Sequence, residues 1–278
     1  MTEWMKAGNA AVITGGASGI GLAAARRYLE AGMRVLIADL SEEALAQASE
    51  ALAGAGELHI RACDVADFEQ VAALQQAAAE TLGEVHCLMN NAGAAFPPSK
   101  PWENLDTWKK QVDINLWGII HGCQAFLPTM LASGARGAVI NTGSKQGITN
   151  PPGGYAYNLS KAGVKAYTES LAHALRQEED CQLTAHLLVP GFTYTGMIAR
   201  FMPEKPAGAW TSEQVVDFMI ESLAGGDFYV LCPDNDTPRA LDEKRIQWNT
   251  DDLLKNRPAL SRWDPAHQAA YEAFIADD

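Results

Sequence analysis

Tyr157 and Lys161 stand four residues apart in the run YAYNLSK, Tyr155 to Lys161. If that run is helical, both side chains lie on one face, a turn apart. A tyrosine phenol ordinarily ionises near pH 10. A neighbouring ammonium favours the phenolate and lowers that value. Such a pair can take a proton from a hydroxyl near neutral pH, or return one to a carbonyl oxygen. An amphipathic helix also acquires a Tyr and a Lys by chance, so the pair needs company before it means chemistry.

The elements that would carry the pair are legible as alternating apolar runs and helical patterns. AAVIT (10–14), RVLIA (34–38), ELHIRA (57–62), HCLMN (86–90), GAVINT (137–142), LTAHLLV (183–189) and DFYVL (227–231) read as strands. Helical patterns fall between them, at 19–31, from a Ser41 cap onward, at 67–81, 105–132, 155–178 and about 212–224. Glu42 and Glu43 suit the positive end of the Ser41-capped helix. Strand and helix in unbroken alternation require crossover connections, hence a parallel sheet. Strands this continuously apolar are covered on both faces. The expected fold is a doubly wound α/β Rossmann-type domain of about seven strands. The predicted domain spans 1–232, with residues 233–278 as a C-terminal extension.

Bulk composition narrows the function. The 278 residues are 47% hydrophobic and 20% charged, enough for a substantial core. A formal charge of -13 argues against nucleic acid and against an anionic membrane surface, both of which select basic proteins. No apolar run approaches the roughly 18 residues of a membrane span. The start, MTEWMKAGNAAVITGG, does not read as a signal peptide. The five cysteines include no C-x-x-C pair and read as buried free thiols of a reducing, cytoplasmic setting. The six histidines have no ligand spacing, so no metal is expected.

The first strand runs into TGGASGIG, Thr14 to Gly21, and then into a helix. Gly15, Gly19 and Gly21 permit a tight turn and a close backbone approach. Ser18 and Ile20 complete the turn into the helix, whose first amides suit a pyrophosphate. Asp39 ends the second strand, 18 residues after Gly21, where a carboxylate can accept both hydroxyls of an adenosine ribose. It would repel a 2′-phosphate. No basic residue lies between Thr14 and Ala25, and Leu40 follows Asp39, so NAD is favoured over NADP.

The glycine spacing, T-G-x-x-x-G-I-G, resembles that of the short-chain dehydrogenase/reductase family. The resemblance extends through further motifs in family order across residues 14–195, about two thirds of the chain. It implies that Asp64 and Val65 sit beside the adenine, and that Asn91, Ala92 and Gly93 of the NNAG tetrapeptide flank the cofactor. It implies that Ser144, 13 residues before Tyr157, hydrogen-bonds the substrate oxygen. It makes Tyr157 the general acid/base, and Lys161 its partner and the anchor of the nicotinamide ribose. Asn115 would help a water chain reach Lys161. Pro190 and Gly191 match the family's turn after the sixth strand, with Thr193 and Thr195 placed to meet the carboxamide end. The implied activity is an NAD-dependent interconversion of a secondary alcohol and a ketone. Family members are usually dimers or tetramers built on the long helices of 105–132 and 155–178.

The likeness weakens toward the C-terminus, where DFYVLCPDNDTPRALDEKRIQWN replaces the family's glycine-containing close. DPAHQAAYEAF is expected to form a helix, capped by Asp264 with Pro265 at its first position. The extension should cover the active-site mouth, dock on a partner subunit or pack on its own domain. Residues 192–211 correspond to the family's substrate loop, with Phe192, Met197, Phe201, Met202 and Trp210 apolar and Arg200 charged. AAFPPSKPW (94–102) would form the opposite wall. Together they suggest an apolar or aromatic substrate. One rival reading is a catalytically silent NAD-binding scaffold; a second is a methyltransferase, which has no use for the Tyr-Lys pair.

Overall fold

The structure is a computed structural model that describes residues 2–199 and 202–276. Seven parallel strands stand in the order β3-β2-β1-β4-β5-β6-β7. They are β1 (Ala10–Thr14), β2 (Arg34–Asp39), β3 (Leu58–Ala62), β4 (Cys87–Asn90), β5 (Gly137–Thr142), β6 (Leu183–Val189) and β7 (Tyr229–Leu231). Strand order reverses between β1 and β4, which leaves a crevice at their carboxyl ends.

Side chains of β1 alternate between two cores. Ala11 and Ile13 pack with Tyr28 of α1 (Gly19–Glu30), Leu45 of α2 (Glu42–Ala51) and Val216 of α9 (Ser212–Gly225). Ala10 and Val12 pack on the other face with Leu74 of α3 (Phe68–Leu82), Phe126 of α5 (Gly118–Ser133) and Leu175 of α7 (Tyr155–Leu175). This two-sided burial is why the central strands read as unbroken apolar runs. The edge strand β3 departs from that expectation. Its Ile60, Arg61 and Ala62 are exposed, because no strand lies beyond it.

The long helical pattern of 105–132 is not one regular helix. It runs as α4 (Leu105–Val112), one π-helical turn (Asp113–Trp117) and then α5. A short α6 (Gln146–Thr149) follows β5, and α8 (Gly196–Ala199) follows β6. Beyond β7 lies α10 (Arg239–Leu254), which periodicity does not announce. Its buried residues are Asp242, Trp248, Asp251 and Asp252, so it turns carboxylates inward. Asp252 accepts from Arg257 Nε at 2.9 Å and from the Ser261 amide at 3.0 Å. Trp248 packs against Tyr271 and Phe274 of α11 (Gln268–Ala276). Asp264 caps the turn before α11 through the Ala266 amide, with Pro265 first. Among the described residues, no helix is long and apolar enough to cross a membrane.

Candidate active site

Thr14 is the bolt between the two strands at the crevice. Its hydroxyl accepts from the Asn91 and Ala92 amides at 3.1 and 3.2 Å. Asn91 returns the tie, with Nδ2 donating to the Gly15 carbonyl at 3.1 Å and Oδ1 accepting from the Thr142 hydroxyl at 3.2 Å. The loops after β1, β4 and β5 are therefore fixed to one another.

Gly15 and Gly19 have φ of +63° and +54°, the left-handed region that glycine alone enters without strain. Gly21 serves differently from the close ligand approach its spacing suggests. A Cβ there would stand 2.2 Å from the Gly15 carbonyl oxygen, so its absence lets α1 close on the turn. Ser18 precedes α1, is exposed and makes no cap hydrogen bond through its side chain. Its hydroxyl, the Ile20 backbone and the first amides of α1 could together cradle a pyrophosphate.

Asp39 lies beside this cradle, its Oδ2 accepting from the Ala17 amide at 3.2 Å. Ser41 caps α2, accepting from the Ala44 amide at 3.1 Å, so the Asp39 carboxylate is not spent there. Asp64 has a local occupation: Oδ1 accepts from the Ala66 amide at 2.9 Å, a turn role. Val65 is buried against Gly118, where a Cβ would meet Val65 Cγ2 at 2.7 Å.

Ser144, Tyr157 and Lys161 come together at the ends of β5 and α7. The Ser144 hydroxyl is near enough to the Tyr157 phenol to favour its ionised form. The Lys161 ammonium stands 5.9 Å from the Tyr157 ring centroid and donates to the Thr142 carbonyl at 2.7 Å. The phenol does not behave as the bare pair suggests. Burial raises it above its ordinary value, and the neighbouring Ser144 hydroxyl opposes that only in part. Burial also pushes Lys161 down, to about 8. In this state Tyr157 is a proton donor at neutral pH.

Asn115 sits in the π-helical turn and is fully buried. Its amide holds both backbone groups of Ala94, accepting from N at 2.8 Å and donating to O at 3.0 Å. It also donates to Ser160 Oγ at 3.3 Å. The side chain thus fastens the start of the 94–102 segment at Ala94. A Cβ on Gly93 would lie 3.4 Å from Asn115 Oδ1 and 3.8 Å from Lys161 Nζ, which places NNAG against both. Gln111, one turn before Asn115, also donates to the Ala94 carbonyl. Sequence reading gave it no role, although two amides four residues apart on one helix were the available signal.

After β6, Thr193 is buried and bonds the Gly191 carbonyl at 3.1 Å, while Thr195 lies 3.2 Å from where a Gly19 Cβ would be. Pro190 and Gly191 make the turn before them. Lys145, next to Ser144, pairs with Asp234 and Asp242 at 3.3 and 2.6 Å. These three also went unremarked in the sequence.

A narrow cleft of about 30 Å³ opens beside Tyr157. Phe96, Pro97 and Pro98 form one wall, as expected of the 94–102 segment, with Trp108 from α4 and Tyr155 from α7 opposite. The buried Trp108 Nε1 has no hydrogen-bond partner among the described residues. None of the described residues of 192–211 lines this cleft. Trp210 instead packs edge-on against Phe218 in the core, 5.8 Å between centroids. Arg200 and Phe201 lie outside the described residues.

Comparison with known proteins bears on this arrangement. The profile of the short chain dehydrogenase family matches residues 9–206. A 3beta-hydroxysteroid dehydrogenase 2 of Eggerthella lenta is 35% identical over 194 residues, 69% of this chain and 73% of that protein. A 1-deoxy-11-beta-hydroxypentalenate dehydrogenase of Streptomyces exfoliatus is 32% identical over 266 residues, 94% of this chain and 95% of that protein. A short chain dehydrogenase/reductase from Burkholderia phymatum, solved in complex with NAD, superposes with a TM-score of 0.83 at 29% identity. That superposition covers 91% of this chain and 96% of that one.

Proposed function

The chain belongs to the short-chain dehydrogenase family, and from that premise we propose that it is an NAD-dependent oxidoreductase interconverting an apolar or aromatic secondary alcohol and its ketone. The observation that carries the proposal is the buried Lys161 ammonium, 5.9 Å from the Tyr157 ring centroid, with Ser144 near the phenol. A silent scaffold has no need of a buried lysine in that place, and a methyltransferase has no need of the pair.

The cofactor would lie across the crevice. Gly15, Ser18, Gly19 and Ile20 would receive its pyrophosphate, Asp39 the adenosine ribose, and Asp64 and Val65 the adenine. Asn91, Ala92 and Gly93 would flank the nicotinamide half, Lys161 its ribose, and Pro190, Gly191, Thr193 and Thr195 its carboxamide end. When bound, the nicotinamide supplies hydride acceptance or donation. The preference for NAD rests on the Asp39 carboxylate, which repels a 2′-phosphate.

In reduction, Ser144 would hydrogen-bond the carbonyl oxygen while Tyr157 donates its proton to that oxygen. In oxidation, Tyr157 would first lose its proton and, as the phenolate, receive the hydroxyl proton. Lys161, positive below about pH 8, would favour the phenolate that remains after donation. Asn115 and Gln111 would hold the 94–102 wall against the substrate. Phe96, Pro97, Pro98 and Tyr155 offer an apolar and aromatic lining, and the Trp108 N–H suits one acceptor on the substrate. The relatives named for a hydroxysteroid and a hydroxypentalenate are consistent with a bulky apolar carbon frame. Exposed Trp117 and Leu159, on the long helical segments, fit self-association into a homodimer or homotetramer.

The test is a panel of secondary alcohols and ketones with NAD(H) and NADP(H), read by nicotinamide absorbance. Turnover of aryl and polycyclic members with NAD supports the proposal. Preference for small polar alcohols removes the substrate reading, and silence toward the whole panel removes the enzyme.

A further inference from the structure

Lys145 immediately follows Ser144, and its side chain leaves the active site for the C-terminal extension. Its ammonium lies between two carboxylates, 2.6 Å from Asp242 Oδ2 and 3.3 Å from Asp234 Oδ2. All three side chains are largely buried, at 17%, 6% and 6% exposure, which separates this cluster from a solvated surface pair. Asp234 Oδ2 also accepts from the Phe192 amide at 3.1 Å. One carboxylate oxygen thereby joins the residue after Ser144 to the residue after Gly191. A Cβ on Gly191 would fall 2.7 Å from Asp234 Oδ2 and 2.9 Å from Lys145 Nζ, so glycine is what lets the turn close on the pair. A second tie runs alongside: Asn249 of α10 donates to the Ile148 carbonyl of α6 at 3.2 Å. Both aspartates lie beyond the 9–206 segment that matches the family.

We propose that Lys145 is a positioning residue through which the C-terminal extension holds Ser144 and the Gly191–Phe192 turn in catalytic register. The inference rests on the catalytic reading of Ser144. A lysine between two buried carboxylates makes their burial tolerable, and among the groups acting on Asp242 it stands ahead of Arg245. Without it, two negative charges face each other beside the Ser144 loop and repel, and the loop relaxes. Displacement of a group that orients the substrate oxygen lowers turnover even when cofactor binding is intact. The extension is in this respect part of the catalytic apparatus.

The experiment compares Lys145→Met, Asp242→Asn and the double variant in the full chain. Amide hydrogen exchange is read without cofactor, NADH affinity by fluorescence, and kcat and KM with 1-phenylethanol as probe, or with the best alcohol of the panel. Lys145→Met is expected to speed exchange in 143–149 and 191–195 and to lower kcat about tenfold, with KM and NADH affinity changed by less than about threefold. Asp242→Asn, which leaves Lys145 paired to Asp234, is expected to do the same more weakly. The double variant should lose less than the product of the single losses, because the two residues act as one unit. Unchanged exchange in both segments, NADH affinity falling in step with kcat, or independent multiplication of the two losses would each overturn the proposal. If Lys145→Met does not fold, Asp242→Asn carries the same three readouts. If the wild-type chain turns over no alcohol, the functional reading fails and exchange alone decides whether the clamp exists.

Discussion

The two halves of the crevice are built by different means. On the cofactor side, loops after β1, β2 and β4 are held by backbone geometry: glycines at positive φ, a Thr14 hydroxyl shared by two amides, and helix starts. On the substrate side, the stretch after NNAG and the loops after β5 and β6 are held by side chains brought from afar. Asn115 and Gln111 fasten Ala94, and Asp234 fastens Lys145 and Phe192. Backbone devices confine residue type at fixed spacing. Side-chain devices need only compatible groups at the right place in space, so one half is legible as a local motif and the other is not.

The contrast is sharpest at single positions. Asp39→Asn keeps an acceptor for the Ala17 amide and removes the charge, so the fold should stand. The ratio of kcat/KM with NAD to that with NADP should fall by about tenfold or more. An unchanged ratio would mean that Asp39 does not select the cofactor. Next, Gly21→Ala drives a Cβ toward the Gly15 carbonyl and should cost about 1–3 kcal/mol by denaturant unfolding. Gly196→Ala on the substrate side meets nothing within 4 Å and should change stability by less than about 1 kcal/mol. Equal costs at the two positions would break the distinction.

A separate effect, read only through pH, concerns Lys161. Burial holds its pKa near 8 in the fold against an ordinary 10.5, so between those values the unfolded chain binds more protons than the folded one. Stability due to this group therefore rises with pH across that window. Measured against Lys161→Met, which cannot titrate, the wild-type chain should gain stability from about pH 8 upward. A flat difference, or one that falls with pH, contradicts the burial of a charged lysine beside Tyr157.

The same division explains what the sequence disclosed. The seven strands, the glycine turn and the Tyr157–Lys161 face follow from local periodicity and spacing, and they stand where those rules put them. The cluster of Lys145, Asp234 and Asp242 does not, because nearly 90 residues separate its first two members and no local rule links them. Helix α10 escaped for a related reason: its inward face carries Asp242, Asp251 and Asp252, which a search for apolar stripes reads as solvent-facing. The π-helical turn at Asp113–Trp117 also left no periodic trace, since one widened turn barely shifts an apolar pattern. The expectation that a nearby cation lowers the Tyr157 phenol left out burial, which acts on both groups and is invisible in their spacing.

Substitution of Tyr157 by phenylalanine tests the central claim most directly, because it deletes one oxygen and keeps the ring over Lys161. With the best alcohol of the panel, kcat should fall by at least about a hundredfold while NADH affinity stays within about twofold. Turnover within a few-fold of the wild-type chain would show that the proton moves through another group and that the site has been misread.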